Sequence, residues 1–148
     1  MIRYILIVLL LATSACQQQE EAQPAEPVAI ERTPSPVTAA VYFVSPADRD
    51  TVSSPLRVEF GLNNMDVVPA GTEAPNSGHH HLLIDTDLPV LGQPIPADEQ
   101  HIHFGDGSTS TELTLAPGEH TLQLLLADHR HIPHDPPVIS ERITITVK

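Results

Sequence analysis

Residues 111–127 read TELTLAPGEHTLQLLLA, and this stretch decides the fold. Two short apolar runs, TELTL (111–115) and EHTLQLLLA (119–127), are joined by Ala116-Pro117-Gly118, a hairpin-type turn. The same rhythm extends in both directions. AVYFV (40–44) ends at Ser45-Pro46, and LRVEF (56–60) alternates Leu56, Val58 and Phe60 against Arg57 and Glu59. HHHLLID (79–85) follows a proline- and glycine-rich loop, and HIHF (101–104) follows a second loop containing Pro89, Pro94 and Pro96. VISERITITV (138–147) puts Ile139, Ile143, Ile145 and Val147 on one face. No segment has helical periodicity with caps. Some seven short strands separated by turn signals predict an all-β, immunoglobulin-like β-sandwich over residues 39–148. The Cys–Trp–Cys hallmark of antibody domains is absent, so the likeness is one of architecture, and the core must rest on aliphatic residues.

The chain has 148 residues, enough for one domain. Residues 1–15 have the layout of an export signal: Arg3, then the apolar stretch Tyr4 to Leu11, then small residues. That stretch is far short of the roughly 20 apolar residues that span a bilayer. Cys16 is the only cysteine, which excludes a disulfide within the domain. TSAC (13–16) resembles the lipobox of bacterial lipoproteins, although Thr13 stands where that pattern usually has a branched aliphatic residue. The resemblance implies a lipidated Cys16, a membrane anchor, and a location in the bacterial cell envelope facing the periplasm. Ordinary cleavage after Ala15, giving a soluble periplasmic protein, is the alternative. Residues 16–38 then form the lipidated cysteine and a disordered tether rich in Gln, Glu, Pro and Ala.

Nineteen acidic residues face seven basic ones. An acidic surface repels phosphate backbones, which argues against nucleic acid as a partner, and it suits cations.

All nine histidines fall between residues 79 and 134. Residues two apart on a strand share a face, so His79 and His81 point one way and His80 the other. His101 and His103 form a second such pair, and His129 and His131 a third. Imidazole is the commonest protein ligand for zinc and copper, and a His-x-His pair can present two nitrogens to one ion. The pairs lie beside long loops, which predicts convergence at one end of the sandwich. The expected metal ligands are therefore His79, His81, His101, His103, His129 and His131, with Asp85, His120 and His134 around them. Three pairs exceed what one ion needs, so some must support the ligands from behind or be simply structural. His120 shares a face with Leu122, Leu124 and Leu126, and a core histidine is an equal reading there. Met65 is the one methionine left after the signal, so Cu(II) or Zn(II) is favoured over Cu(I).

The motifs VVPAGTEAPNSGHHHLLID, PIPADEQHIHFGDGSTSTELTLAPGEHTLQLLLADH and HIPHDPPVISERITITV resemble domain-of-unknown-function family 4399. The resemblance implies an exported bacterial single-domain protein and carries no activity. Asp106 stands where a glycine is common, and NNMD (63–66) replaces a glycine-containing stretch; neither touches a histidine.

Three classes of function remain. One is an envelope-anchored binding domain for a divalent metal. Another is a structural or interaction lipoprotein whose histidines form a hydrogen-bond or pH-sensing network. The third is an enzyme, for which the sequence offers no Gly-x-Ser-x-Gly, no cysteine nucleophile and no cofactor loop, although a histidine-held metal with an open position would look the same. The binding domain is the favoured reading, with its protein partner unnamed by the sequence.

Overall fold

The alternating runs close into two facing sheets. The computed structural model describes residues 30–148; the signal segment, Cys16 and residues 17–29 lie outside the described residues. One sheet has three antiparallel strands, in the order β1 (Ala40–Ser45), β3 (Leu56–Asn63), β7 (Ser110–Leu113). The larger sheet runs β2 (Thr51–Val52), β9 (Ile143–Val147), β8 (Gly118–Ala127), β5 (Ser77–Ile84), β4 (Asp66–Val67). A further short strand, β6 (His101–His103), also pairs with β5. The two-residue strands β2 and β4 pair in parallel and were not legible as runs. The architecture is the expected immunoglobulin-like β-sandwich.

Alternation explains the core. Leu56, Val58 and Phe60 of β3 face Leu82 and Ile84 of β5, Leu122, Leu124 and Leu126 of β8, and Ile143, Ile145 and Val147 of β9 in one apolar cluster between the sheets. Six of these side chains are completely buried, and each contributes roughly 1.5–3 kcal/mol through the water it leaves. The opposite faces of β5 and β8 are covered too. Leu83, Leu125 and Ala127 meet Ile95 and Ile139 in a second, smaller cluster on the outside of the larger sheet.

Two expectations need correction. Residues 111–115 and 119–127 do not form a hairpin: β7 pairs with β3, whereas β8 pairs with β5 and β9. The turn at Ala116-Pro117-Gly118 arches between sheets, with Gly118 at a φ of 140°. An apolar run says that a strand buries a face, not which sheet it joins. Ile139 likewise does not share a face with Ile143, Ile145 and Val147. Residues 140–142 interrupt the strand, and Ile139 turns outward to the second cluster.

The end of the expected tether is docked. Pro34 bridges to Asp135 in parallel, and Ser35 and Asp135 exchange backbone hydrogen bonds with the facing segment, Ser35 N to Asp135 O at 3.1 Å and Asp135 N to Thr33 O at 3.0 Å. Arg32 donates to the carbonyls of Pro133 and His134.

Candidate metal centre

Strand β5 places His79 and His81 on the outer face of the larger sheet. Both are completely or almost completely buried, at 0% and 1% exposure. They lie deep because β5 is a central strand and residues from the loops before β6 and after β8 cover its outer face. Across the β5–β6 ladder His81 sits opposite His103, so their side chains share that face. His131 arrives from the loop after β8, in the left-handed region at a φ of 66°. That conformation is uncommon away from glycine, although histidine is among the residues that tolerate it.

The four rings form a compact group. His79 lies 4.9 Å, centroid to centroid, from each of His81, His103 and His131. His103 and His131 lie 4.7 Å apart, with their Nε2 atoms at 3.2 Å. His79, His81 and His103 each offer a nitrogen within 4.8 Å of the others. A tetrahedral zinc with bonds of about 2.0–2.1 Å holds its nitrogens roughly 3.3–3.4 Å apart, and the His103–His131 pair is already close to that spacing. The donors are all imidazoles. Met65 is buried in the core between the sheets, so no thioether of the described residues joins them.

Among the described residues, neither nitrogen of His79, nor Nδ1 of His81, has a hydrogen-bond partner. Such orphaned groups are uncommon in protein interiors and cost about 1–3 kcal/mol each. Their burial, and then the neighbouring His103 and His131, push the pKa of His79 down to about 4. Burial followed by His79, His103 and His131 pushes His81 to about 2. His103 is lowered as well, by burial and by His131. The inner imidazoles are therefore neutral ligands far below the ordinary histidine range. The sequence alone implies that protons displace a metal near pH 6.5; the burial of His79 and His81 moves that competition to lower pH.

The other predicted residues fall elsewhere. His101 shares the face of His103 but lies opposite Leu83, and its Nδ1 is taken by Asp98 Oδ1 at 2.7 Å. His129 opens into a surface groove with Glu73 and Thr33. Asp85 and His120 make a pair of their own, six residues along β5 from His79 or roughly 20 Å at strand rise. His120 Nδ1 meets Asp85 Oδ2 at 2.6 Å and its Nε2 meets the Ala116 carbonyl at 2.9 Å. With an acceptor on each nitrogen the ring is best satisfied as an imidazolium, and the Asp85 carboxylate holds its pKa up. His134 is fully buried and donates Nε2–H to the Ser77 carbonyl at 3.1 Å. His80 points into the core between the sheets, edge-on to Phe60 at 4.7 Å. The group lies on the outside of a sheet and not at the expected end of the sandwich, because loops 86–100 and 128–139 fold over that face.

Two supporting residues were not assigned a role from sequence. Gly105 lies directly beside the His103 ring: an added Cβ would stand 2.8 Å from His103 Nε2. Asp128 is 1% exposed and organises the loop of His131, its carboxylate accepting from the amides of Arg130 at 2.8 Å and Ile132 at 3.0 Å. Burial by itself would raise its pKa; the Thr33 hydroxyl, those amides and the Arg130 side chain outweigh it and hold the carboxyl at about 2. An aspartate three residues before a loop histidine is the sequence signal that could have found it.

The family model described as Domain of unknown function (DUF4399) matches residues 58–148, more than half of the chain. No curated protein matches. Among solved structures, the Clostridium thermocellum CbhA fibronectin(III)-like modules align over 72% of this chain and 92% of theirs, at 12% identity and a TM-score of 0.34.

Proposed function

The chain belongs to the DUF4399 family, and since that family's description states no activity, we propose a role from the site itself: an envelope-anchored domain that binds one divalent transition-metal ion, Cu(II) or Zn(II), through His79, His81, His103 and His131. The observation that carries this reading is the orphaned nitrogens of His79 and His81, buried and facing two further imidazoles. A cation gives one nitrogen of each ring a partner that the described residues do not. Neutral imidazoles suit copper and zinc and give no reason for calcium or magnesium, which take oxygen ligands. Four imidazoles fill a tetrahedral shell, which supports a binding role over hydrolysis, since catalytic zinc keeps a position open. His103 is exposed and His131 half-buried, so the ion has a route in from the surface.

Titration of the untagged protein with Zn(II) or Cu(II) at pH 7.5 is expected to saturate at one equivalent. His101→Ala and His129→Ala should saturate alike; loss of the equivalent in either would locate the ion elsewhere. The anchor is a separate part of the proposal, supported by the TSAC sequence. Cys16→Ala should leave the membrane fraction, because acyl chains contribute about 0.8 kcal/mol per buried methylene and the acidic tether adds nothing. Unchanged membrane association in that variant would reject it.

A second reading is supported by His80 and His134, which are fully buried and serve packing. A structural, proton-linked histidine network would use them together with the His103–His131 contact, and it predicts acid sensitivity without metal uptake.

A further inference from the structure

Three of the four proposed ligands stand on strands, where ladder hydrogen bonds fix them. His131 stands on a loop, in a left-handed conformation that its surroundings must hold. Those surroundings converge on Asp128. The Asp128 carbonyl accepts from His131 N at 2.9 Å, and its carboxylate accepts from the amides on both sides of His131, those of Arg130 and Ile132. The His131 carbonyl is taken in turn by the Ile95 amide at 2.9 Å. Among the described residues, all but one of the groups that hold the Asp128 carboxylate come from within four residues of it. The exception is the Thr33 hydroxyl, which donates to Oδ2 at 2.7 Å across 95 residues of chain.

Thr33 belongs to the docked segment 32–35. Its neighbours make the docking specific: Arg32 bonds the carbonyls of Pro133 and His134, and Ser35 donates to the Pro136 carbonyl at 2.6 Å. The segment thus runs along the loop of His131 and is tied to it at both ends.

We propose that Thr33 is a positioning residue for the metal centre: by holding the Asp128 carboxylate it fixes the turn from which His131 reaches His103, and so sets the fourth ligand. This rests on the metal-centre reading above. The inner ligands do not depend on the turn, so loss of the Thr33 hydroxyl acts on one ligand of four. Anything that lifts residues 32–35 from the domain acts on the site in the same way. The N-terminal segment, which in sequence leads back to Cys16, thereby becomes a control on metal affinity.

The test uses the full chain, Cu(II) as the probe, and Thr33→Val, which removes the hydroxyl at nearly constant volume. Binding of Cu(II) should weaken about tenfold, at the lower end of what a hydrogen bond to a charged group contributes. The Cu(II) electron paramagnetic resonance spectrum should change from four equatorial nitrogens to three. Thr33→Ser should restore both. His131→Gly should give the three-nitrogen spectrum, and adding Thr33→Val to it should change nothing further. The melting temperature of the metal-free variants controls for general loss of fold. Wild-type affinity and a four-nitrogen spectrum in Thr33→Val would overturn the positioning role while leaving the metal centre standing, as would failure of Thr33→Ser to restore them. No Cu(II) uptake by the wild type would overturn the metal-centre reading, and this role with it.

Discussion

Replacing His79 and His81 together by alanine is expected to weaken Zn(II) or Cu(II) binding by about a thousandfold or more. Four-ligand zinc sites bind with apparent free energies of about 10–16 kcal/mol, so removing half the ligands forfeits on the order of 5 kcal/mol. The metal-free fold should change much less. Alanine leaves a cavity where two buried rings stood, which destabilises. It also removes orphaned nitrogens that cost about 1–3 kcal/mol each, which offsets much of that loss. Equal affinities in the wild type and the double variant, measured by competition with a chromophoric chelator, would contradict the site.

Acid is expected to destabilise the metal-free domain strongly. Burial lowers the pKa of His80 to about 4, from an ordinary value near 6.5. The folded pKa is depressed, so between these values the unfolded chain binds more protons than the folded one. Stability is complete above pH 6.5 and is lost as the pH falls toward 4. A shift of this size corresponds to about 3 kcal/mol from His80 alone. His79 and His81 add to it with the same sign, and typical domains are stable by only about 5–15 kcal/mol. His120 acts in the opposite sense: its raised pKa contributes stability below pH 6.5 that fades as the pH rises through the folded value. That pair is partly exposed, so its effect is small. His80→Leu should flatten the acid limb of the melting-temperature profile by removing the largest contribution outside the metal centre. It should leave metal affinity unchanged, because His80 faces the core and not the cluster. An acid limb identical to that of the wild type would show that the folded state does not hold His80 neutral.

The seven longer strands and the histidine parity were legible because both depend on period two. His79 and His81 share a face, and His80 opposes them, whatever the partner strand. What period two cannot supply is pairing. TELTL and EHTLQLLLA look like a hairpin, yet Leu113 and Leu122 enter the core from opposite sheets. The same limit governs the site. His101 and His103 are equivalent by parity, but register sets His103 opposite His81 and leaves His101 opposite Leu83, within reach of Asp98. His129 and His131 are equivalent by spacing; the turn around Asp128 brings only His131 to the cluster. Asp85 lies on the face of His79 and His81 by parity, but distance along the strand removes it from them and gives it to His120.

The most direct measurement is the melting curve of the wild-type protein at pH 7.5 with and without a few-fold excess of Zn(II) or Cu(II). An ion bound only by the folded state raises stability by about 4 kcal/mol when present at 1,000 times its dissociation constant. The melting temperature should rise by several degrees in the wild type and not at all in His79→Ala/His81→Ala. A wild-type curve unmoved by both ions, or an equal rise in the double variant, would contradict it.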